Sequence, residues 1–544
     1  MPDFMCRRSR LPVCVVVGAI AAVLLTAASP LRAQSFTAQQ FYNGALANGN
    51  LNQEPGELWA WHARYSMGQF MQGYHAYGDT SWLDYGVQYY DWVLGHARTG
   101  PDGYMGWIGP LPGGAGRTDE HIGDALLTQH MLDFAEVVRN DPVLYAQYGA
   151  KADAYVEFTR VHLFEKWDAR DTYHRFGDFG AYSWWEYELA SDLPDYTGSQ
   201  WIPNTDRISK SGSVTQQFNK QTAMAVNALR LWRITGEEQY RERAFELYGF
   251  LKSRMQLYDG AYVWNFREPA IDRDIRPDNT VMTWIAVHPN SSGYQATEVT
   301  DLVEAYHSGI VFDEQDIARL VSTNMDVMWT GSGYNGPDAA IKGTNGNAGT
   351  LWRALADFSQ AIRNRFGGPG GSIRDRIIYD HFVNVTSAEP PSLDRKYVGD
   401  DDPLYLLDWP HSESRSLNLA FLTNPVFTPG EDSTWIGVKS LRSGTLQVAV
   451  YDEAGEDLLL VLANRAHNGN MGGRGGDYVF DWDGTDLFGE PLDPGNYRIR
   501  WTLSINSFGD DGYREYPITL VPEPTTATVL GVTLGLLLRR RPRR

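Results

Sequence analysis

Apolar residues recur at three- and four-residue steps from about Phe36 to Phe366, and at two-residue steps beyond about Pro390. The first period is that of a helix with one buried face, the second that of a half-buried strand. Leu58 to Tyr77, Ile122 to Val138, Val214 to Ile234, Gln239 to Met255, Thr297 to His307 and Leu351 to Phe366 carry the helical pattern, with Gly-, Pro- and Asp-rich turns between them. One phrase repeats: Trp82 leads to Asp102-Gly103-Tyr104, Tyr148 to Trp167-Asp168, and Tyr240 to Asp259-Gly260 and Tyr262, over nearly equal spans. Two of these phrases follow a helix stopped by Tyr77-Gly78-Asp79 or Thr235-Gly236-Glu237. Helical hairpins cannot bury their apolar faces alone, so they stack or close on themselves. The pattern predicts an all-α (α/α) toroid over 34–389; an open helical solenoid satisfies the same periodicity.

The two-residue period predicts strands at Gly444 to Tyr451, Glu456 to Leu462, Tyr478 to Trp482 and Leu492 to Trp501. Turns such as Asp452 to Gly455 and Asp493-Pro494-Gly495-Asn496 join them, so a small all-β sandwich is expected over 428–520, after a connecting segment 390–427.

The two ends are different again. Residues 1–33 have a basic start (Arg7, Arg8, Arg10), an apolar run from Leu11 to Ala28 and a small-residue site at Leu31-Arg32-Ala33, which is the plan of a secretory signal. Cys6 and Cys14, the two cysteines, both fall inside it, so neither a disulfide nor a thiolate-held metal is expected in the mature chain. Residues 521–544 carry Val521-Pro522-Glu523-Pro524, a short apolar stretch from Ala527 to Leu538, and an arginine cluster from Arg539. The net charge of −20 becomes more negative once the arginine-rich ends are set aside. Such a surface argues against nucleic acid as a partner, and any acidic ligand would require a locally basic cleft.

Candidate chemistry concentrates in three loops. His288 and Tyr294 lie six positions apart in a polar loop entering a helix through Glu298, with Arg267 and Arg273 upstream as cations able to stabilise a phenolate. The alternative is that Tyr294 packs and His288 caps a turn. Gln216, Gln217, Asn219 and Gln221 head another helix, where amides either hydrogen-bond a carboxylate or satisfy the helix's own free N–H groups. Arg117, Asp119, Glu120 and His121 open a third after a Gly- and Pro-rich loop bearing Trp107, with Asp119 placed as N-cap. Trp184, Trp185, Tyr187, Trp201 and Trp264 add aromatic surface of the kind sugars stack on, or ordinary packing. The sequence holds no His-Glu-x-x-His, phosphate-cradling loop or Gly-x-Ser-x-Gly, so no cofactor is expected and a serine hydrolase is not.

With these residues in view, the helical part resembles the toroidal polysaccharide lyases of family 38 and their relatives, the glucuronan and alginate lyases. The likeness rests on Asn219 to Leu231, Thr235 to Tyr240, Asp259 to Trp264, and the His288 to Tyr294 loop continuing to Phe312. It implies β-elimination on a uronic-acid polymer, with Tyr294 as base, Asn219 neutralising the substrate carboxylate, and His288 and Arg267 assisting. Arg117, Glu120, His121, Gln217, Gln221, Trp107, Trp184, Trp185 and Trp264 would bind the acidic polysaccharide. The chain departs from the pattern in having His288 where some relatives have Arg, and no His after Asn219. The β part resembles the immunoglobulin-like domain of flagellar hook-capping proteins, through Val448 to Gly455, Trp482-Asp483-Gly484 and Pro494 to Tyr497; that likeness implies a spacer or assembly module. The tail resembles the PEP-CTERM signal, which implies handling by an exosortase-type sorting machinery and a secreted or envelope-associated product.

Two other readings stay open. A glycoside hydrolase on the same toroid needs two carboxyl groups roughly 5–9.5 Å apart, for which Asp119 or Glu120 with Glu186 or Glu298 are candidates. A non-catalytic glycan-binding protein would use the aromatic surface alone.

Overall fold

A computed structural model describes residues 36–110, 116–190, 199–205, 214–282, 292–334, 350–385, 393–413, 419–440, 442–469, 476–505 and 512–523. Residues 1–33, expected to be a signal, residues 524–544 of the expected sorting tail, and His288 lie outside the described residues.

Antiparallel helix pairs build the N-terminal part: α1 (Ala38–Leu46), α2 (Glu57–Tyr77), α3 (Ser81–Leu94), α4 (His121–Asn140), α5 (Pro142–Thr159), α6 (Lys166–Ala169), α7 (Phe218–Thr235), α8 (Glu238–Arg254), α9 (Ser292–His307), α10 (Glu314–Ser322), α11 (Gln360–Asn364) and α12 (Ile373–Tyr379). Their starts and stops are written locally. Asp141 caps α5 by accepting from Val143 and Leu144, with Pro142 in the first turn. Gly78 and Gly236 end α2 and α7 with φ of 66° and 72°, left-handed conformations that cost glycine little. These are the two stops that the repeated phrase placed.

Helices α2, α4, α7 and α9 form an inner layer, and α3, α5 and α8 pack outside it. The layers interlock through aromatics: Phe134 meets Tyr155 at 5.8 Å, and Phe218 meets Phe250 at 5.0 Å. Gly73 lets Trp82 lie against α2, since a Cβ there would stand 2.4 Å from the indole. The ring closes on α2. Beyond α9, Tyr306 meets Phe358 at 5.5 Å; next comes α12, where Arg374 lies over Tyr65 of α2 at 4.7 Å. Tyr77 then donates to Asp380, just past α12, at 2.9 Å. The (α/α) toroid is therefore closed rather than an open solenoid.

The C-terminal ends of the inner helices are locked together. Arg230 donates to both carboxylate oxygens of Glu304 (2.7 and 2.6 Å), and Arg233 to both of Glu136 (2.7 and 2.6 Å) and again to Glu304 (2.8 Å). Paired, bidentate and buried, these charges fix α4, α7 and α9 at one end. The N-termini of α2, α4, α7 and α9 gather at the other.

Two local expectations are corrected. Leu351 to Phe366 is not one helix: a 3₁₀ stretch (Arg353–Asp357) leads to a bend at Phe358, and Ser359 caps the short α11. Asp119 is not an N-cap. Glu120 holds that position without a side-chain bond, while Asp119 is buried among cations.

Beyond residue 418 the two-residue period becomes two sheets sharing one core. A three-stranded sheet has the order β1 (Leu419–Leu422), β3 (Thr434–Ser440), β6 (Gly476–Trp482). A five-stranded sheet has the order β2 (Val426–Phe427), β8 (Tyr513–Leu520), β7 (Gly495–Ser504), β4 (Gly444–Tyr451), β5 (Leu458–His467). Ile436 and Val438 of the first face Val448, Trp501 and Ile518 of the second.

Candidate functional site

The site is best built from helix starts. Pro55-Gly56 delivers Glu57 into the first turn of α2, where an acid suits the helix dipole. One turn on, Trp61 donates Nε1 to Glu57 Oε1 at 3.4 Å. From the start of α7, Lys220 reaches the same oxygen at 3.1 Å, with both side chains largely buried. The Lys220 ammonium also lies 4.8 Å from the Trp184 ring, an attraction that orients the cation. Glu120, at the N-cap of α4, stands three residues before Gly123, where a Cβ would come within 3.9 Å of Glu57 Cα. The start of α4 therefore packs against the start of α2.

From α9 comes Tyr294, half-buried, stacked on Phe266 (5.7 Å, 10°) and tilted against Trp61 (5.5 Å). Burial first, then the Glu57 and Tyr65 groups, push its phenol pKa up against the opposing pull of Arg64. One turn deeper, Glu298 is fully buried, takes Nε1–H of Trp264 at 2.7 Å and accepts from the Asn219 backbone N–H. Burial pushes its carboxyl up to about 8 despite those donors, so it holds a proton at neutral pH.

Behind α4 lies a second charged cluster. Asp119 takes Lys166 Nζ and Arg170 Nη1, each at 2.9 Å, and Lys166 also meets Asp124 at 2.5 Å. Burial opposes charge on Asp119, but the two cations outweigh it and hold the carboxyl below its usual range. Asp124 goes the other way: burial, then the Asp119 charge, push it up to about 7. This network ties α4 to α6.

The residues singled out in the sequence separate into groups. Tyr294 and Trp184 stand at the rim, Asn219 and Trp264 are buried beneath it on Glu298, Glu120 is the N-cap of α4, and Gln217 is buried at the N-cap of α7. His121 is stacked on Tyr182 at 5.5 Å, and Trp185 on Tyr187 at 4.5 Å. Arg117 gives Nε to Glu54 at 2.8 Å. Gln221 clamps the backbone of Tyr182, accepting from its N–H and donating to its carbonyl, both at 2.8 Å. Trp107 donates to Val93 O at 3.0 Å inside the core. Arg267, buried, donates to Met282 O at 2.5 Å. Glu57, Trp61 and Lys220 were not foreseen. A first-turn acid looks like helix capping in a sequence, and Lys220 was passed over beside Asn219.

No family model and no curated protein matches the chain. Among solved structures it is similar to an inactive variant of an α-1,6-mannanase of glycoside hydrolase family 76 from Salegentibacter sp., in complex with α-1,6-mannotriose. That match has 14% identity and a TM-score of 0.33, over 63% of this chain and 84% of the other. A family 76 α-mannanase from Bacteroides thetaiotaomicron gives 12% and 0.34, over 65% and 95%. Dfg5 from Chaetomium thermophilum, in complex with glucosamine, gives 11% and 0.27, over 66% and 92%.

The expected uronan lyase is corrected on these findings. The similar structures include glycoside hydrolases of family 76, which hydrolyse rather than eliminate. Inside the chain, burial first and then Glu57 push the Tyr294 phenol pKa up, the direction opposite to the one that would favour a phenolate base.

Proposed function

We propose that the chain is a polysaccharide-degrading glycoside hydrolase whose site is the N-terminal rim of the toroid. One observation carries the reading: Lys220 of α7 reaches across to Glu57 of α2 at 3.1 Å, beside Trp61 and Trp184, with Tyr294 against Trp61 and Glu120 at the start of the neighbouring α4. Carboxyl groups framed by aromatic faces are what glycosidic hydrolysis asks for. An acid gives a proton to the leaving oxygen as the anomeric C–O bond breaks, and water supplies the oxygen that replaces it. Glu57 and Glu120 flank the mouth as the reacting pair. Glu298, protonated at neutral pH, backs them and sets the start of α7 through Asn219.

The same reading places the enzyme outside the cell, exported by residues 1–33 and sorted through residues 521–544, with the β module as an immunoglobulin-like spacer.

The test is a panel of neutral and anionic polysaccharides, α-1,6-mannan included, followed by reducing-end release and near-ultraviolet absorbance. New reducing ends without an absorbing alkene are expected. Their absence on every glycan, or alkene formation, would overturn the proposal.

A further inference from the structure

Directly below the rim the toroid encloses a cavity of about 310 Å³, lined by α2, α4, α9, the 350–353 segment and α12. Its charge is opposite to that of the chain. Arg64, Arg353 and Arg374 all line it, in a protein of net charge −20. Arg64 is 6% exposed; its Nη2 donates to Thr297 Oγ1 at 3.1 Å, while its buried Nε has no hydrogen-bond partner. The Arg64 guanidinium stacks over Trp61 at 4.3 Å and over Tyr65 at 4.8 Å, and Arg374 lies over that same Tyr65 ring at 4.7 Å. Burial, then the charge of Arg374, push the Arg353 pKa down against the opposing pull of Asp375. Among the described residues none of the three arginines is ion-paired with a carboxylate.

The other titratable groups on the wall offset them only in part. His130 is buried and driven down to about 3, so it is neutral. Asp301 is the one acidic residue on the wall, and burial pushes its carboxyl up to about 7. Thr297, Thr300 and Gln129 add uncharged polar groups. Arg353 and Arg374 are exposed and screened by water, but the buried Arg64 has no carboxylate partner among the described residues, and planar forks suit an oxyanion.

We propose that this cavity receives an anionic substituent of the bound sugar: a carboxylate, or a phosphate or sulfate ester, inserted beneath the rim. The proposal builds on the rim as a saccharide site but not on turnover there. It assigns the substrate class as an anionic glycan, read by Arg64 from the α2 wall and by Arg353 and Arg374 at the opening.

Binding rather than activity tests it. Calorimetry on the full chain would compare glucose, glucuronate, glucose 6-phosphate and glucose 6-sulfate, with inorganic phosphate and sulfate as free-anion controls. At least one anionic sugar should bind tenfold or more tightly than glucose, and than the matching free anion. R353Q and R374Q, both at the opening, should each weaken that binding tenfold or more while leaving thermal unfolding unchanged. Equal binding of glucose and all three anionic sugars, indifference to both substitutions, or equal binding of the free anion would overturn the proposal. A protein that binds anionic sugars yet releases no reducing ends would instead fail the hydrolase reading and leave this one standing.

Discussion

Arg514 of strand β8 and Glu268 of the toroid form a fully buried ion pair, Nη2 to Oε1 at 3.1 Å. Arg254 approaches the same carboxylate at 3.6 Å, and its guanidinium lies 4.4 Å from the Tyr516 ring. The pair sits at one end of a short segment that serves the site along its whole length. Trp264 holds Glu298, and Asn265 donates to Glu268 at 2.7 Å. The Phe266 carbonyl accepts from Phe218 N at the start of α7, and its ring stacks on Tyr294. The β module therefore braces the rim.

Breaking that cluster from the acid side strands two buried cations, because Arg514 and Arg254 share the one carboxylate. Glu268→Met should destabilise the protein by about 3–5 kcal/mol, and Arg514→Met, which leaves Arg254 beside Glu268, by clearly less. Denaturant unfolding of the two variants measures this.

Glu298→Gln tests the buried acid. The folded carboxyl titrates near 8 against an ordinary 4.5, so the native state holds its proton more tightly than the unfolded chain does. That contribution is fully present below about pH 4.5 and is lost as pH rises through about 8. Glutamine cannot lose a proton, so the unfolding temperature of the variant should fall less than that of the parent between about pH 5 and 9. Thermal scans across that range give the answer.

Glu57→Gln and Glu120→Gln should each lower turnover on the substrate found by the panel by about 10²–10⁴-fold. Lys220→Met should lower it too, since it removes the cation that fixes Glu57. Circular dichroism checks that the variants remain folded, and initial rates of reducing-end release give the size of the loss.

Gly73→Ala should destabilise by about 1–3 kcal/mol through overpacking, because the added methyl meets the Trp82 ring at 2.4 Å. Thermal unfolding measures it, and the glycan preference should not change.

Much of the scaffold was legible because its signals are local. Gly78 and Gly236 are helix stops whatever surrounds them, and the change from a three-and-four-residue to a two-residue period marks where helices give way to sheets. Leu351 to Phe366 misled because its apolar spacing suits a helix, yet Ser359 caps a new start within it. At the site, Asn219, Tyr294 and Glu120 were visible as polar residues at helix starts. Their chemistry was not, because it depends on partners far away in sequence. Lys220 and Glu57 are brought together only by the fold, and the upward shift of the Tyr294 phenol comes from burial that no spacing reports. Arg64, Arg353 and Arg374 stand far apart in the sequence, and only the fold turns them onto one cavity.

The Arg230, Arg233, Glu136 and Glu304 lattice has a consequence for traffic. It stoppers the far end of the barrel, where His75 and His381 also meet, 6.1 Å apart. A polymer cannot thread through a tube shut at the bottom. Among the described residues the rim is then the way in and the way out, and if the proposed hydrolysis takes place there, both fragments of a severed chain leave by the side on which the chain entered.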